Sequence, residues 1–422
     1  SQVSFEKSKE DSLFRVLVET ENSGSIYVSQ KPKNNLLVFF PPVFGVIVDG
    51  FDKKNKHFGV DIVAKEKSRI SSVLDGSVII SHWTAETGYV MAIQHKNEYL
   101  SVYKHNAALL KKAGDFVVAG EHVAIMGSAS EMLGQLPYIF KPKKNTKIVA
   151  VSTDFPALTR PWISYCKIHS CEMHFVQDDK STNLTEQIIQ AIDKRTAIVT
   201  VSLVQFSTGT KIDIQDLVAA TKQAGAKLII DITQAAGAIP ISARNIDADV
   251  LVCSGYKWLG GHGGIGIALT SPEFLKKDPI MTGWMGAPDP FNMQAKHSSY
   301  SQDARKYSMA TMSYISIKGL EVAVNELLNL NITNVSIHAN KLKTLLSNQL
   351  EKTRWNLYRP EDDISASSHI ISIESLSNNI RDNFEKLKTN AIICGIRNDR
   401  IRISISHYNN QTDIEKLINA LS

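Results

Sequence analysis

Short apolar runs separated by turn residues dominate the chain from residue 35 to residue 130. The runs lie at Leu36–Phe40, Gly45–Val48, Gly76–Ile80, Tyr89–Gln94, Leu100–Tyr103 and His122–Met126. Turn-forming pairs such as Asp75-Gly76 and Thr87-Gly88 separate them, a spacing typical of antiparallel hairpins. Helical spacing at Glu10–Glu21 predicts one helix before the strands. We therefore predict an all-β, barrel-like antiparallel domain at residues 1–131.

A different pattern begins at about residue 148, where near-continuous apolar runs alternate with segments of helical period. Such runs are expected for strands that are covered on both faces of a sheet. They include Lys227–Ile230, Val250–Cys253 and Ile265–Leu269. The pattern predicts a large α/β domain at residues 148–315 and a small α+β domain at residues 316–422. Met132–Lys147 has no hydrophobic period and contains Gly134 and Pro137, so we predict a linker there and a two-domain fusion overall.

Composition limits the classes of function. The 422 residues are 43% apolar and 21% charged, and the net charge is +5 with dispersed basic residues, so we expect no nucleic-acid partner. No run reaches the length of a membrane span and no signal peptide opens the chain, so we expect no membrane span and a cytoplasmic location. The four cysteines lack metal-binding spacing, which is typical of reduced thiols.

Two charged residues follow neighbouring strand-like runs in the second half. Asp231 ends Lys227–Asp231, and Lys257 comes shortly after Val250–Cys253. An amine at such a position can form a Schiff base with a carbonyl, and a carboxylate can keep a ring nitrogen protonated. The pair therefore indicates pyridoxal 5′-phosphate (PLP) chemistry. The alternative is structural: a lysine whose amine reaches solvent at a strand end and an aspartate that caps a turn.

Four ordered motifs support a family resemblance for residues 150–422. They are Ser207-Thr-Gly-Thr-Lys-Ile-Asp213, Ile230-Asp-Ile-Thr-Gln-Ala-Ala-Gly237, Ser254-Gly-Tyr-Lys-Trp258 and Ile401-Arg-Ile-Ser-Ile-Ser-His-Tyr-Asn409. This part resembles the class V aminotransferase group of fold-type-I PLP enzymes. The resemblance implies a PLP-transferase-like sheet, an amino-acid substrate and a homodimer. It also implies that Lys257 binds the cofactor and moves a proton at the substrate Cα.

The same resemblance assigns roles to further residues. Implied cofactor contacts are Asp231 at the pyridine nitrogen, Gln234 and Gln205 at the ring edge, Ser254 and Tyr256 at the phosphate, and Thr311 at a partner subunit's phosphate. Arg402 would hold the substrate α-carboxylate, since a guanidinium binds carboxylates in a bidentate way. Family members also carry an earlier segment in which a Gly/Ser/Thr turn opens a helix and binds the phosphate. We find no such segment in the expected place and predict a domain truncated at its start.

One cysteine helps to decide which class V reaction the residues could support. A desulfurase needs a nucleophilic cysteine on a mobile loop, and Cys394, in the apolar run Ala391-Ile-Ile-Cys-Gly, is the only cysteine after Lys257. A thiol in apolar surroundings is inert. We therefore disfavour the desulfurase interpretation, and leave open transamination, lyase and epimerase chemistry.

A second group of residues in the first half indicates a metal site. His57 and Asp61 are four residues apart and share one face, and imidazole with carboxylate is a ligand pair for zinc. Together with Val102-Tyr-Lys-His105, Leu74-Asp-Gly-Ser-Val78 and Gly114-Asp-Phe-Val-Val-Ala-Gly120, this part resembles the lysostaphin-type zinc endopeptidases, which cut peptidoglycan. The resemblance implies His57 and Asp61 as metal ligands and His105 as a catalytic residue that stabilises the attacked carbonyl.

The zinc family closes its site with a His-x-His pair that supplies a third ligand. No two histidines of this chain are two residues apart, and the matching segment is Met126-Gly-Ser-Ala-Ser-Glu-Met-Leu-Gly-Gln135. His95 and Glu131 are the candidates that lie near in sequence. Because a catalytic zinc needs three protein ligands, we expect the peptidase activity to be lost.

Three hypotheses of function follow. The first is a PLP-dependent class V enzyme that acts on an amino acid. The second is a zinc-dependent cell-wall endopeptidase, which would place the chain in the periplasm or outside the cell. The third is a non-catalytic fusion of two incomplete domains. We favour the first because more of its chemistry is present.

Overall fold

The computed structural model describes residues 42–43, 45–55, 57–64, 68, 70–74, 76–85, 87–96, 99–117, 122–180, 182–293, 295–301, 303–375 and 379–422. The helix predicted at Glu10–Glu21 and the strand predicted at Leu36–Phe40 lie outside the described residues. The chain divides into two compact units, residues 1–120 and 121–422.

The first unit contains antiparallel strands, in agreement with the predicted all-β class. Its strands are β1 (Gly45–Asp49), β2 (Asp61–Ala64), β3 (Gly76–Thr84), β4 (Gly88–His95), β5 (Leu100–Asn106) and β6 (Phe116–Val117). They form two sheets, a β1-β2 pair and a four-stranded sheet with the order β5-β4-β3-β6. The four-stranded sheet buries Val78, Val90 and Ile93, whereas Val46 and Val63 on the β1-β2 pair are 60% or more exposed.

The second unit contains a large and a small sheet with their helices. In chain order it begins with β7 (His122–Met126), α1 (Ala129–Phe140), β8 (Lys147–Val151), α2 (Pro156–His169), β9 (Glu172–Val176), α3 (Leu184–Gln190) and β10 (Thr196–Ser202). It continues with α4 (Ile214–Ala224), β11 (Lys227–Asp231), β12 (Val250–Ser254), β13 (Gly266–Thr270) and α5 (Pro272–Leu275). It ends with α6 (Tyr314–Leu330), α7 (Ile332–Leu350), β14 (Trp355–Leu357), β15 (Ile370–Ser375), α8 (Ile380–Thr389), β16 (Gly395–Arg397), β17 (Arg400–Ser404) and α9 (Gln411–Leu421).

The large sheet has seven strands in the order β7-β13-β12-β11-β10-β8-β9. Strands β9, β8, β10, β11 and β12 are parallel, and β13 is antiparallel to both β12 and β7. Strand β7 therefore runs in the same direction as β12. Helices cover the sheet because its strands are apolar on both faces, with Val149, Val199, Ile229 and Ile230 fully buried.

The predicted linker at Met132–Lys147 is wrong. Helix α1 occupies most of this segment, and Met132, Leu133 and Leu136 are buried in the core beneath the large sheet. Pro137 lies inside the helix, and Lys141 ends it in a left-handed conformation. Because Gly134 and Pro137 disfavour a helix, the sequence did not predict this helix or its buried face, which tertiary contacts stabilise. The division between the two units also falls at residue 120, ahead of the predicted position at 131.

The small sheet has four antiparallel strands in the order β14-β15-β17-β16. Helices α7, α8 and α9 pack on one face of it, where Leu346, Leu387, Ile403 and Leu417 form a separate core. This is the α+β organisation predicted for the end of the chain. Within the described ranges, none of the helices is both long and apolar enough to cross a bilayer.

Candidate functional site

The carboxyl ends of parallel strands in the large sheet form one edge, and the predicted site residues are concentrated there. Ser202, the last residue of β10, is the register partner of Asp231, the last residue of β11. Asp231 in turn pairs with Val252, two residues before β12 ends. Ligands bind at this edge in open α/β sheets because the loops that follow the strands converge there.

Asp231 is a buried carboxylate, 6% exposed, and within the described part of the chain it forms no ion pair. Its Oδ1 accepts a hydrogen bond of 2.8 Å from the Thr233 backbone N–H. Burial raises the pKa of Asp231 to about 6, and repulsion from the Asp154 carboxylate adds to this effect. A cation placed against this carboxylate would remove much of that penalty.

Lys257 lies three residues after β12, in the turn that leads towards β13. Its Nζ is 5.0 Å from the centre of the Tyr256 ring. Partial burial and the guanidiniums of Arg402 and Arg397 lower the pKa of Lys257 below its ordinary value. A larger neutral fraction makes the amine a better nucleophile and base near neutral pH.

Gln234 follows β11 and is held from two sides. The Trp258 Nε1 donates to the Gln234 side-chain Oε1 at 2.8 Å, and the His369 Nε2 lies 2.6 Å from the Gln234 backbone oxygen. The Trp258 and His369 rings meet edge to face at 4.7 Å. The Trp258 bond uses one acceptor position of Oε1, which leaves the Gln234 amide nitrogen and the second acceptor position to bind a ligand.

Gln205 is fully buried, and its neighbour Asp154 was not identified from the sequence. The Gln205 Nε2 donates to the Asp154 Oδ2 at 3.2 Å and to the Ser202 backbone oxygen at 3.3 Å. Asp154 also accepts hydrogen bonds from the backbone N–H groups of Ser202 and Phe155, both at 2.7 Å. Among the residues that the structure describes, the buried Gln205 Oε1 has no hydrogen-bond partner. An unpaired buried oxygen is costly, so a water or a ligand that donates a hydrogen bond to it would stabilise this site.

The start of α1 supplies the helix N-terminus that we expected to be absent. Strand register carries Ser254 on β12 through Gly266 on β13 to Met126 on β7, so α1 begins at the same sheet edge as Lys257. Ser128 is its N-cap, and the Ser128 side chain accepts from the Glu131 N–H. The predicted truncation therefore does not remove the helix N-terminus, which is a natural anion site.

Arg402, Ser254 and Thr311, the other predicted site residues, lie in different parts of the second unit. Arg402 lies on β17, and its buried Nε has no hydrogen-bond partner within the described ranges. Burial, reinforced by Arg397, lowers the pKa of Arg402 to about 10. The Ser254 N–H donates to the Thr233 Oγ1 at 2.9 Å. Thr311 is exposed ahead of α6 and, among the described residues, makes no hydrogen bond to the other predicted site residues.

The predicted zinc pair of the first unit also comes together, with one carboxylate that the sequence interpretation missed. One nitrogen of His57 and one oxygen each of Asp49 and Asp61 lie within 4.8 Å of one another. The His57 Nδ1 is 2.5 Å from the Gly50 carbonyl oxygen, and the Gly50 carbonyl is the main reason that the pKa of His57 is raised. His105 lies exposed on β5 in the other sheet and is not part of this group.

The two substitutes considered for the third ligand lie elsewhere. The His95 Nε2 is 2.7 Å from the Ser101 Oγ, and the Glu131 carboxylate accepts the Gly127 N–H at 3.3 Å. The sequence offered a reason to consider Asp49, since it ends the apolar run of β1. Its contact with His57, however, depends on how β1 and β2 pair. Asp154 gave no local signal, because its partners Ser202 and Gln205 lie 48 and 51 residues away.

Comparisons with known proteins agree with both sequence resemblances. A family model described as Aminotransferase class-V matches residues 129–417, and one described as Peptidase family M23 matches residues 55–149. The kynureninase of Pseudomonas fluorescens is 27% identical over 44% of this chain and 46% of its own length. An uncharacterized protein of Schizosaccharomyces pombe is 27% identical over 54% of each chain. The match to these two relatives therefore spans about half of their length.

Solved structures agree with the fold. The apo structure of the cysteine desulfurase from Thermococcus onnurineus superposes with a TM-score of 0.66 at 18% identity, over 72% of this chain and 78% of that one. Such a likeness shows a shared fold and leaves the reaction open. The class V model covers well over half of the residues, and the chain therefore belongs to the aminotransferase class-V family.

Proposed function

We propose that residues 121–422 bind PLP through Lys257 and catalyse a reaction of an amino acid. The observation that carries this proposal is the strand register, which brings Asp231, the Lys257 turn and the start of α1 to one sheet edge. Fold-type-I chemistry needs an amine, a carboxylate and an anion site at such an edge.

The residues present fit the three parts of PLP. The first turn of α1 and the hydroxyls of Ser254 and Tyr256 suit the phosphate, since backbone N–H groups at a helix N-terminus attract anions. Asp231 suits the ring nitrogen, because it is buried without a cation. The amide groups of Gln205 and Gln234 suit the ring edge. When bound, PLP supplies an electron sink for negative charge that develops at the substrate Cα.

The chain's own groups then perform the remaining tasks. The Lys257 amine, with its lowered pKa, can take a proton from the substrate Cα and return it. Arg402 can bind the α-carboxylate through two of its guanidinium nitrogens, and its partial burial strengthens this contact. Trp258 keeps the Gln234 side chain in one orientation. Asp154 does the same for Gln205.

Sulfur transfer is not part of this proposal. Burial raises the pKa of the Cys394 thiol to about 11, so this thiol is protonated near neutral pH. The proposal therefore includes transamination, lyase or epimerase chemistry, and a homodimer as the class V resemblance implies.

The test is chemical labelling of the lysine. Purified protein incubated with PLP and reduced with borohydride should carry the cofactor on the peptide that contains Lys257, as identified by mass spectrometry. The Lys257→Ala variant should carry none, and an amino-acid panel should yield keto acid, elimination product or racemised substrate only with the intact lysine. Equal labelling of the two proteins would refute the proposal.

A second candidate function belongs to the first unit. The cluster of Asp49, His57 and Asp61 offers one nitrogen and two carboxylate oxygens, and zinc accepts both types of ligand. We propose that this cluster binds zinc, without assigning it peptidase activity. Near-stoichiometric zinc after exhaustive dialysis would support this. Protein that takes up neither zinc nor PLP would instead favour the non-catalytic alternative.

A further inference from the structure

The face of the small sheet that carries Arg402 also carries two other arginines. Residues that are paired across antiparallel strands point to the same face, as do residues two apart along one strand. Gly395 pairs with Arg402, and Arg397 pairs with Arg400. The opposite face holds Ile401 and Ile403, which are buried in the small core. Alternation along β16 and β17 thus separates an apolar face from an arginine face.

The Arg397 guanidinium lies over Gly395, the residue that pairs with Arg402. A Cβ built at Gly395 would lie 3.6 to 4.0 Å from the Arg397 guanidinium atoms, an ordinary contact distance, and the charge of Arg397 contributes to the lowered pKa of Arg402. The Arg397 Nη1 donates to the Ile396 carbonyl at 2.7 Å, and its guanidinium carbon is 5.9 Å from the centre of the Phe206 ring. Phe206 is the residue after Gln205, so Arg397 reaches the sheet edge where the proposed site lies.

The positive charges at this point have no counterion in the described part of the chain. Arg397, Arg402 and Lys257 form no ion pair there, whereas Arg359 on the same small domain pairs with Asp178 and Asp363. The Arg402 Nε is buried and unpartnered. Cations that lie close together without an anion repel one another, which is unfavourable. A bound ligand with a negative charge would turn this repulsion into a net attraction.

The cofactor phosphate does not account for Arg397. The proposed phosphate site is at the start of α1, after β7, whereas Arg397 lies against Phe206, which follows β10. Strand β10 lies four strand spacings from β7 and two from β12, which ends at Ser254; these are distances on the order of 19 Å and 10 Å. A single arginine, Arg402, is also sufficient for one α-carboxylate.

We infer that the substrate is an amino acid whose side chain carries a second anionic group, such as a carboxylate, and that Arg397 binds this group beside Arg402. The inference rests on the proposed function and names its substrate class. Arg397 is then a specificity-determining residue: it favours acidic over neutral side chains of the same shape.

The test compares acids with their amides. The dissociation constants of L-glutamate, L-glutamine, L-aspartate and L-asparagine are measured from the absorbance of PLP-loaded protein. The wild type should bind each acid at least about tenfold more tightly than its amide, since a hydrogen bond to a charged group is worth that factor or more. Arg397→Gln should abolish the preference by weakening acid binding alone, and Arg397→Lys should retain part of it.

The matched control is Arg381→Gln, which removes one positive charge from an exposed position on α8. It should leave the acid-to-amide ratio unchanged. Equal binding of acid and amide by the wild type overturns the inference, as does an equal loss of both on Arg397→Gln. Thermal melting of each variant confirms that it is folded.

A second measurement separates this inference from the proposed function. Calorimetric titration of cofactor-free protein with glutarate and with its monoamide measures anion binding by Arg397 and Arg402 in the absence of PLP. If Lys257 takes up no PLP, the proposed function fails, and a glutarate preference that Arg397→Gln removes still supports paired anion binding. Absence of that preference overturns the inference whether or not PLP binds.

Discussion

Gly266 lies against the backbone of Ser128 at the point where α1 begins. A Cβ built at Gly266 would lie 2.3 Å from the Ser128 carbonyl carbon and 2.3 Å from the Ala129 nitrogen. No side chain fits there without moving the helix. The first residue of β13 therefore fixes the start of α1 at the sheet edge where we place the cofactor phosphate.

Gly266→Ala should lower PLP affinity by displacing the first turn of α1. We expect a loss of about tenfold or more, which corresponds to one charged hydrogen bond, and little change in the affinity for pyridoxal, which has no phosphate. The measurement is a pair of titrations followed by absorbance. Gly134→Ala in the same helix is the control, because apart from the backbone of its own helix no described atom lies within 4 Å of its Cβ position. It should leave both affinities unchanged and stabilise the helix slightly. Parallel losses for PLP and pyridoxal would contradict the role in phosphate binding.

Patterns that are local in sequence predicted most strands of the large sheet correctly, and the roles of Lys257 and Asp231 stay a prediction. Strands β11, β12 and β13 are continuous apolar runs, and a charged residue after such a run must lie near the sheet edge. Helix α1 was missed because Pro137 and Gly134 interrupt its period, although Ser128 and Glu131 form a recognisable N-terminal signal. Its stability comes from burial against the sheet, which no window of sequence reveals.

The pH dependence of stability should reveal the buried Asp231 carboxyl. Its pKa is raised from 3.8 to about 6, so at pH 5 the folded protein retains a proton that the unfolded chain has released. In cofactor-free protein the free energy of unfolding therefore falls as pH rises from about 4 to about 6. Asp231→Asn should remove a contribution on the order of 2–3 kcal/mol, measured by urea unfolding across this range. A constant difference between variant and wild type would show that the carboxyl is not perturbed.

His369 should contribute with the opposite sign in the same range. Burial lowers the pKa of His369 from 6.5 to about 4. Between these two pH values His369 is protonated in the unfolded chain and neutral in the folded protein. Stability is then lost as pH falls from about 6.5 to about 4. His369→Gln should make unfolding less sensitive to acid, by a contribution on the order of 3 kcal/mol. The same urea series at pH 4, 5, 6 and 7 measures it, and an unchanged acid sensitivity would contradict the assignment.

Asp49 should decide whether the cluster in the first unit holds zinc. With His57 and Asp61 alone the site has two protein ligands, and Asp49 would supply the third. Asp49→Asn should weaken zinc binding at least about tenfold in calorimetric titration, since a neutral amide oxygen replaces a charged carboxylate ligand. Asp115→Asn is the matched control, because Asp115 lies in the same unit and caps the Lys112 N–H. Equal zinc affinity of the two variants would exclude Asp49 as a ligand.

The contact between Asp178 and Arg359 shows that the position of Arg402 in the proposed site depends on contacts between residues that are far apart in sequence. Asp178 follows β9 of the large sheet, and Arg359 follows β14 of the small sheet, 181 residues later, with an N–O distance of 2.9 Å. The two side chains are 0% and 5% exposed, and Thr210 also donates to the Asp178 carboxylate at 3.1 Å. This buried pair holds the small sheet, which carries Arg402, against the large one.

Arg359→Met should therefore destabilise the second unit by about 3–5 kcal/mol, because it leaves the Asp178 carboxylate buried without its cation. Arg195→Met removes an exposed pair with Glu172 at 3.0 Å and should cost no more than about 1 kcal/mol. Urea unfolding of both variants measures the contrast. Adding Asp178→Asn to Arg359→Met should recover part of the loss, since the uncompensated charge is then absent. Similar losses for Arg359→Met and Arg195→Met would mean that water reaches the pair and that other contacts hold the two sheets together.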